Sequence, residues 1–181
     1  MNSRQLEKIL MSDPLTRSSF LGVYPSDLLP KTGLLTYPCS LVANTDPHYL
    51  PGAHWVAFYF SPSGEGEFFD SYGKPPGYYC HEFEDFMTRN SLKEWTYNNT
   101  VLQGALSNVC GEYAALFIIN RNRGISLTRI VNMFSSNTTH NDRMIWRFFK
   151  HRFARVLGTG RVKHTPKRIT QTSKKRHLNE H

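Results

Sequence analysis

The stretch HWVAFYFSPSGEGEFFDSYG, residues 54–73, constrains the fold more than any other part of the chain. Its first half is dense in β-branched and aromatic residues and ends at Pro62, the composition of a buried central strand. SGEG then supplies turn residues, and EFFD reads as a second, shorter strand. The two form a hairpin closed through residues 61–66. A chain with this hairpin at its centre needs helices to cover the sheet.

The flanking segments supply them. SRQLEKILMSD carries Leu6, Ile9 and Leu10 at helical spacing, with Ser3 as a candidate N-cap and Pro14 as the stop. FLGVYPSDLLPKTG reads as loop, punctuated by Pro25, Pro30 and Gly33. LLTYPCSLVANT reads as a strand interrupted near Pro38. KPPGYY is loop, HEFEDFMTRN an amphipathic helix and EWTYNN a short strand with a turn. CGEYAALFIINRNRG is a helix stopped by Gly124. LTRIVNMF and NDRMIWRFFKHRFARVL continue the helical pattern, the latter with Ile145, Phe148, Phe149 and Phe153 on one face. The expected class is α+β, a small, mostly antiparallel sheet flanked by helices.

Composition limits what such a domain does. The 181 residues are 39% hydrophobic and 13% aromatic, enough for a real core. No apolar run approaches the roughly 18 residues of a membrane span. The N-terminus lacks the apolar centre of a signal peptide. A soluble intracellular protein without membrane association is expected. Cys39, Cys80 and Cys110 are widely spaced and form no CxxC pair, so neither a metal site nor a disulfide framework is expected. Residues 1–142 carry 10 Lys/Arg against 13 Asp/Glu, whereas residues 143–181 carry 12 against 1. Such a basic end suits a polyanion, most often nucleic acid; a solvated or nucleus-targeting tail is the plainer reading. The expected division is a domain over 1–157 and a basic tail over 158–181 whose composition does not support folding unless it is bound.

Cysteine-mediated acyl transfer needs a thiolate, an imidazole to take and return a proton, a group to orient that imidazole, and donors for the oxyanion. Each has a candidate here. Cys110 opens the helix of SNVCGEYAALF, where the positive end of a helix dipole favours a thiolate. His54 heads the hairpin's first strand, behind the small residues Gly52 and Ala53. Asp70 ends its second strand, so hairpin pairing would bring Asp70 and His54 to the same end. Gln103 precedes Cys110 by seven residues, and its amide could donate beside the Cys110 N–H. Taken singly, each residue has an ordinary structural reading as core, turn or strand residue. Trp55, next to His54, either shields the imidazole or is a strand core residue.

In this order the four match a family pattern. The chain resembles the adenovirus proteinase family, the adenain-like cysteine proteases. The stretches that carry the resemblance are SFLGVYPSDLLP, SLVANTD, GAHWVAFYFSP, EFFDSYG, LQGALSNVCGEYAALFI and NDRMIWRFFKHRF, covering roughly residues 3–155. SUMO-deconjugating proteases share His-Trp, Asp-Ser, Gln and Cys-Gly, but the FLGVY segment favours the adenain side. Similar proteases occur in Maverick/Polinton-type mobile elements. The resemblance implies His54 as general base, Asp70 as its orienter, Cys110 as nucleophile and Gln103 at the oxyanion hole. It implies a monomeric endopeptidase cleaving viral capsid or core precursors during particle maturation, in the virion and the host nucleus. No cofactor is required for the chemistry, but DNA and a peptide are potential activators.

Two features depart from the family. SLKEWTYNNTVLQ, before Gln103, holds no cysteine for a disulfide-linked activating peptide, so none is expected unless Cys80 takes that role. The basic tail lies beyond the resemblance. Arg147, Lys150, Arg152, Arg155, Arg161, Lys163, Lys167, Arg168, Lys174, Lys175 and Arg176 are the expected polyanion-binding residues, through salt-sensitive phosphate contacts. Two other functions compete: an isopeptidase acting on SUMO or another ubiquitin-like modifier, and a non-enzymatic nucleic-acid-binding protein.

Overall fold

The computed structural model describes residues 1–34 and 36–158. Five strands form one mixed sheet in sequence order: β1 (Phe20–Pro25), β2 (Cys39–Asn44), β3 (Trp55–Phe60), β4 (Gly66–Phe69) and β5 (Trp95–Tyr97). β2, β3 and β4 pair antiparallel, whereas β1 joins β2 and β5 joins β4 in parallel. The α+β class and the central hairpin hold. The sheet is antiparallel at its centre and parallel at both edges, because β1 and β5 arrive by crossovers instead of hairpins. β1 replaces the loop expected over residues 20–25. β2 begins directly after Pro38.

Strand alternation divides the core. Ala57, Tyr59 and Phe69 face one side of the sheet, where they pack with Leu6, Ile9 and Leu10 of α1 (Ser3–Ser12) and Tyr113, Phe117 and Ile118 of α4 (Cys110–Arg121). Val56, Phe58, Phe60 and Phe68 face the other, against Phe83, Phe86 and Met87 of α3 (His81–Asn90). The period of two in HWVAFYF is therefore apolar on both faces, as a strand covered on both sides requires. α1 is capped by Asn2, not Ser3: the Asn2 side chain accepts from Gln5 N–H, and the Gln5 side chain accepts from Asn2 N–H. Short α2 (Pro14–Arg17) and α5 (Leu127–Val131) precede β1 and α6 (Thr138–Arg152). On α6, Ile145 and Phe149 are buried, but Phe148 is exposed. The proposed tail, apart from Gly158, lies outside the described residues.

Candidate active site

β3 and β4 pair with Ala57 opposite Phe69. That register places His54, just before β3, and Asp70, just after β4, at the same end of the sheet. His54 Nε2 and Asp70 Oδ1 are 2.6 Å apart, and Asp70 is fully buried. Using Nε2 for the carboxylate leaves Nδ1 for the Cys110 thiol, with which the imidazole is also hydrogen-bonded. Cys110 is the first residue of α4, and its sulfur accepts the Trp55 backbone N–H. Among the described residues, Val109 at the N-cap gives α4 no side-chain acceptor, which leaves the Cys110 N–H uncapped.

Asp70 is held from several sides. The Tyr72 N–H donates to Oδ1 at 3.1 Å, and the Lys74 N–H and the Tyr79 hydroxyl donate to Oδ2, each at 2.9 Å. Asn98 brackets the Asp70 backbone, accepting its N–H at 2.8 Å and donating to its carbonyl at 2.6 Å. The turn behind the carboxylate depends on Gly73, whose φ of +69° is unfavourable for other residues, and where a Cβ would stand 2.8 Å from Thr100 backbone. His54 lies between two rings, Tyr72 at 4.7 Å and Tyr79 at 5.7 Å between centroids. These two tyrosines take the shielding role considered for Trp55, whose indole N–H instead donates to the Met1 carbonyl at 3.0 Å. His54 is only 6% exposed, so the small residues Gly52 and Ala53 before it do not leave its ring open to solvent. Gly52 instead serves a close approach: at φ +97°, a Cβ there would meet the Asn44 amide at 3.0 Å.

Burial alone would keep His54 neutral, but its hydrogen bonds to Asp70 and Cys110 prevail and hold the imidazole up to about 9. Burial would raise the Cys110 thiol, but the hydrogen bond and charge of His54 and the Trp55 N–H bring it below its ordinary value. The other two thiols behave oppositely. Burial pushes both Cys39 and Cys80 up to about 11. Cys80 is half-buried at the start of α3, a poor setting for the thiolate that disulfide exchange with a peptide needs.

Gln103 is 1% exposed and stands behind the cleft wall. Its Oε1 accepts the Ser71 hydroxyl at 2.7 Å, and its Nε2 donates to the Ser107 carbonyl at 2.8 Å and the Tyr72 hydroxyl at 3.3 Å. The cleft of about 470 Å³ is lined by Met1, Gly52, His54, Tyr72, Ser107 and Cys110 among others. A depression of about 370 Å³ shares Met1, Gly52 and Trp55 with it and extends it toward Tyr24 and His48. Ser71 was marked only through the Asp-Ser pair of the resemblance, and Tyr72, Tyr79 and Asn98 had no local signature in the sequence.

Among the expected polyanion contacts, Arg147, Lys150, Arg152 and Arg155 are exposed on and after α6, and none has an ion pair among the described residues. Lys150 lies over the Trp146 ring at 4.4 Å. Arg161, Lys163, Lys167, Arg168, Lys174, Lys175 and Arg176 lie outside the described residues. Among the described residues, no cluster of His, Cys, Asp and Glu could hold a metal ion, and no helix is long and apolar enough to cross a membrane.

A thiol at an open helix start, hydrogen-bonded to an imidazole that a buried carboxylate orients, is the arrangement thiol-dependent acyl transfer requires. No family model matches the chain. The chain is 31% identical over 134 residues to the protease of Fowl adenovirus A serotype 1, a match covering 66% of this chain and 62% of that relative, and so less than two thirds of the relative's length. The fold is shared with the crystal structure of an ASFV protease, at a TM-score of 0.58 and 18% identity over 83% of this chain and 66% of the other. In sequence the chain is thus similar to an adenovirus protease, and in fold to a second viral protease.

Proposed function

We propose that the chain is a cysteine endopeptidase that cleaves viral or viral-like precursor proteins during particle maturation, acting as a monomer in the virion and the host nucleus. The observation that carries this reading is His54, hydrogen-bonded at once to Asp70 at 2.6 Å and to Cys110 at the start of α4. The elongated cleft, continued from Cys110 toward His48, suits an extended peptide.

In this reading Cys110 Sγ attacks the scissile carbonyl as a thiolate while His54 carries the proton. The oxyanion of the tetrahedral intermediate is held by the Cys110 N–H, with Gln103 at the hole. His54 gives its proton to the leaving amine as the C–N bond breaks, leaving a thioester. A water then loses a proton to His54 and attacks that thioester; the C–S bond breaks, the carboxylic acid product leaves, and the Cys110 thiolate and protonated His54 are restored. Asp70 fixes the tautomer and stabilises the imidazolium. Arg147, Lys150, Arg152 and Arg155, together with the basic residues beyond 158, offer a surface through which DNA would stimulate the enzyme.

Hydrolysis of a fluorogenic Leu-x-Gly-Gly peptide by wild type and Cys110→Ala, each with and without DNA, tests this. Turnover lost in the variant and raised by DNA is the expected result. A folded ubiquitin-like conjugate cleaved in preference to unfolded capsid-precursor linkers would favour an isopeptidase. DNA binding without turnover, together with slow alkylation of Cys110, would favour a nucleic-acid-binding protein.

A further inference from the structure

Ala105, Leu106, Ser107 and Asn108 line the active-site cleft together with Cys110 and His54. Ala105 and Leu106 form the corner of a tight turn, closed by the Ser107 N–H, which donates to the Gly104 carbonyl at 3.0 Å. The turn is pinned at both ends. The Gly104 N–H donates to Asp142 Oδ2 at 3.0 Å, and the Ser107 carbonyl accepts from Gln103 Nε2 at 2.8 Å. Leu106 is thereby held 99% exposed, more than any other large hydrophobic side chain among the described residues. Folding does not ask for leucine there. Turn corners are ordinarily filled by Gly, Pro, Asn, Asp or Ser, and a side chain wholly in water adds nothing to the core. The full gain of burying it is left for a ligand.

The depression toward Tyr24 and His48 shares Met1, Gly52 and Trp55 with the cleft but none of residues 105–108. The turn therefore stands at the other end of the groove. We propose that Leu106 is a specificity-determining residue: it packs against an apolar side chain of the substrate polypeptide, at the end of the groove away from Tyr24 and His48. The inference rests on Cys110 being the nucleophile, as read above. A peptide whose scissile carbonyl lies at Cys110 meets this turn because the two line one cavity of about 470 Å³. Ala105, Ser107 and Asn108, which flank Leu106, carry no charge, so nothing on the turn favours a charged side chain in that place. Because the turn is already fixed, it presents Leu106 without the ordering cost of a mobile loop. The effect is on which peptide is cut, not on the thiol.

Internally quenched peptides, each varied at one position on either side of the scissile bond, test this with wild type, Leu106→Ser, Leu106→Met and Cys110→Ala. Wild type is expected to prefer apolar over polar residues at a position that Leu106 governs. In Leu106→Ser, the ratio of kcat/KM for Leu over Ser at that position falls roughly 10-fold, the lower end of what an apolar contact discriminates. Preferences at the other positions stay within twofold. Leu106→Met, apolar and of similar volume, retains the preference. Iodoacetamide labels Cys110 at the wild-type rate in both Leu106 variants. Wild-type preferences at every position in Leu106→Ser would overturn the assignment. So would a uniform loss across all peptides with slowed alkylation, which would tie the turn to the thiol instead of the substrate. Undiminished cleavage by Cys110→Ala would overturn the nucleophile reading itself, and a wild type that cleaves none of the peptides would overturn the endopeptidase reading; the inference falls with either.

Discussion

The Gly104 N–H donates to Asp142 Oδ2 at 3.0 Å, tying the residue after Gln103 to α6. The neighbouring peptide is tied as well: the Leu102 carbonyl accepts from Asn141 Nδ2 at 3.0 Å and from the Tyr113 hydroxyl at 3.1 Å, and that hydroxyl also reaches Asp142 Oδ1 at 3.0 Å. The backbone on both sides of Gln103 is thus held by α4 and α6. Asp142→Ala leaves the Gly104 N–H and part of the Tyr113 hydroxyl's bonding unmade. The expected loss is about 1–3 kcal/mol of stability, with a fall in kcat larger than any rise in KM. Chemical denaturation and steady-state kinetics of the same preparation check both.

The three thiols should separate in alkylation. Cys110 is lowered chiefly because His54 overcomes the effect of burial, whereas Cys39 and Cys80 are pushed up to about 11. At pH 7, iodoacetamide followed by peptide mapping should label Cys110 first, with Cys39 and Cys80 slow until the protein is unfolded. His54→Ala should slow Cys110 toward the other two.

On the proposed mechanism, turnover should decline as pH rises through about 9, where His54 loses the proton it would give to the leaving amine. Asp70→Asn weakens the hydrogen bond that holds this value up, so the alkaline limb should move to lower pH. Stability carries the same sign. The folded value lies above the ordinary 6.5, so the contribution of His54 is fully present below about 6.5 and is lost as pH rises through about 9. Thermal unfolding of wild type and His54→Ala at pH 6 and pH 10 should show the larger gap at pH 6.

Gly73→Ala should destabilise the turn behind Asp70. It places a side chain at φ +69° and 2.8 Å from Thr100 backbone, at an expected cost of about 1–3 kcal/mol. Activity should fall with it, because the Lys74 N–H and the Tyr72 N–H reach Asp70 through this turn.

Local pattern made part of this fold legible. HWVAFYF and EFFD announce strands through their own residues, and the short turn between them fixes their pairing and the end at which His54 and Asp70 meet. CGEYAALFIIN is apolar enough to mark a buried helix whose first residue is the thiol. β1 was not legible, because Gly22 and Pro25 read as loop residues, and its parallel pairing with β2 is decided by tertiary contacts. The surroundings of Gln103 were equally hidden. Ser71, Tyr72, Ser107 and Asp142 converge on its segment from four parts of the chain, and no spacing in the sequence encodes that convergence.

The central claim is that Cys110 attacks the substrate carbonyl with His54 as its base. Mass spectrometry of the protein quenched during turnover of an activated peptide ester tests it most directly. The account predicts an added acyl mass that maps to Cys110 and is absent from Cys110→Ala. An acyl group on another residue, or turnover that continues in Cys110→Ala, would contradict it.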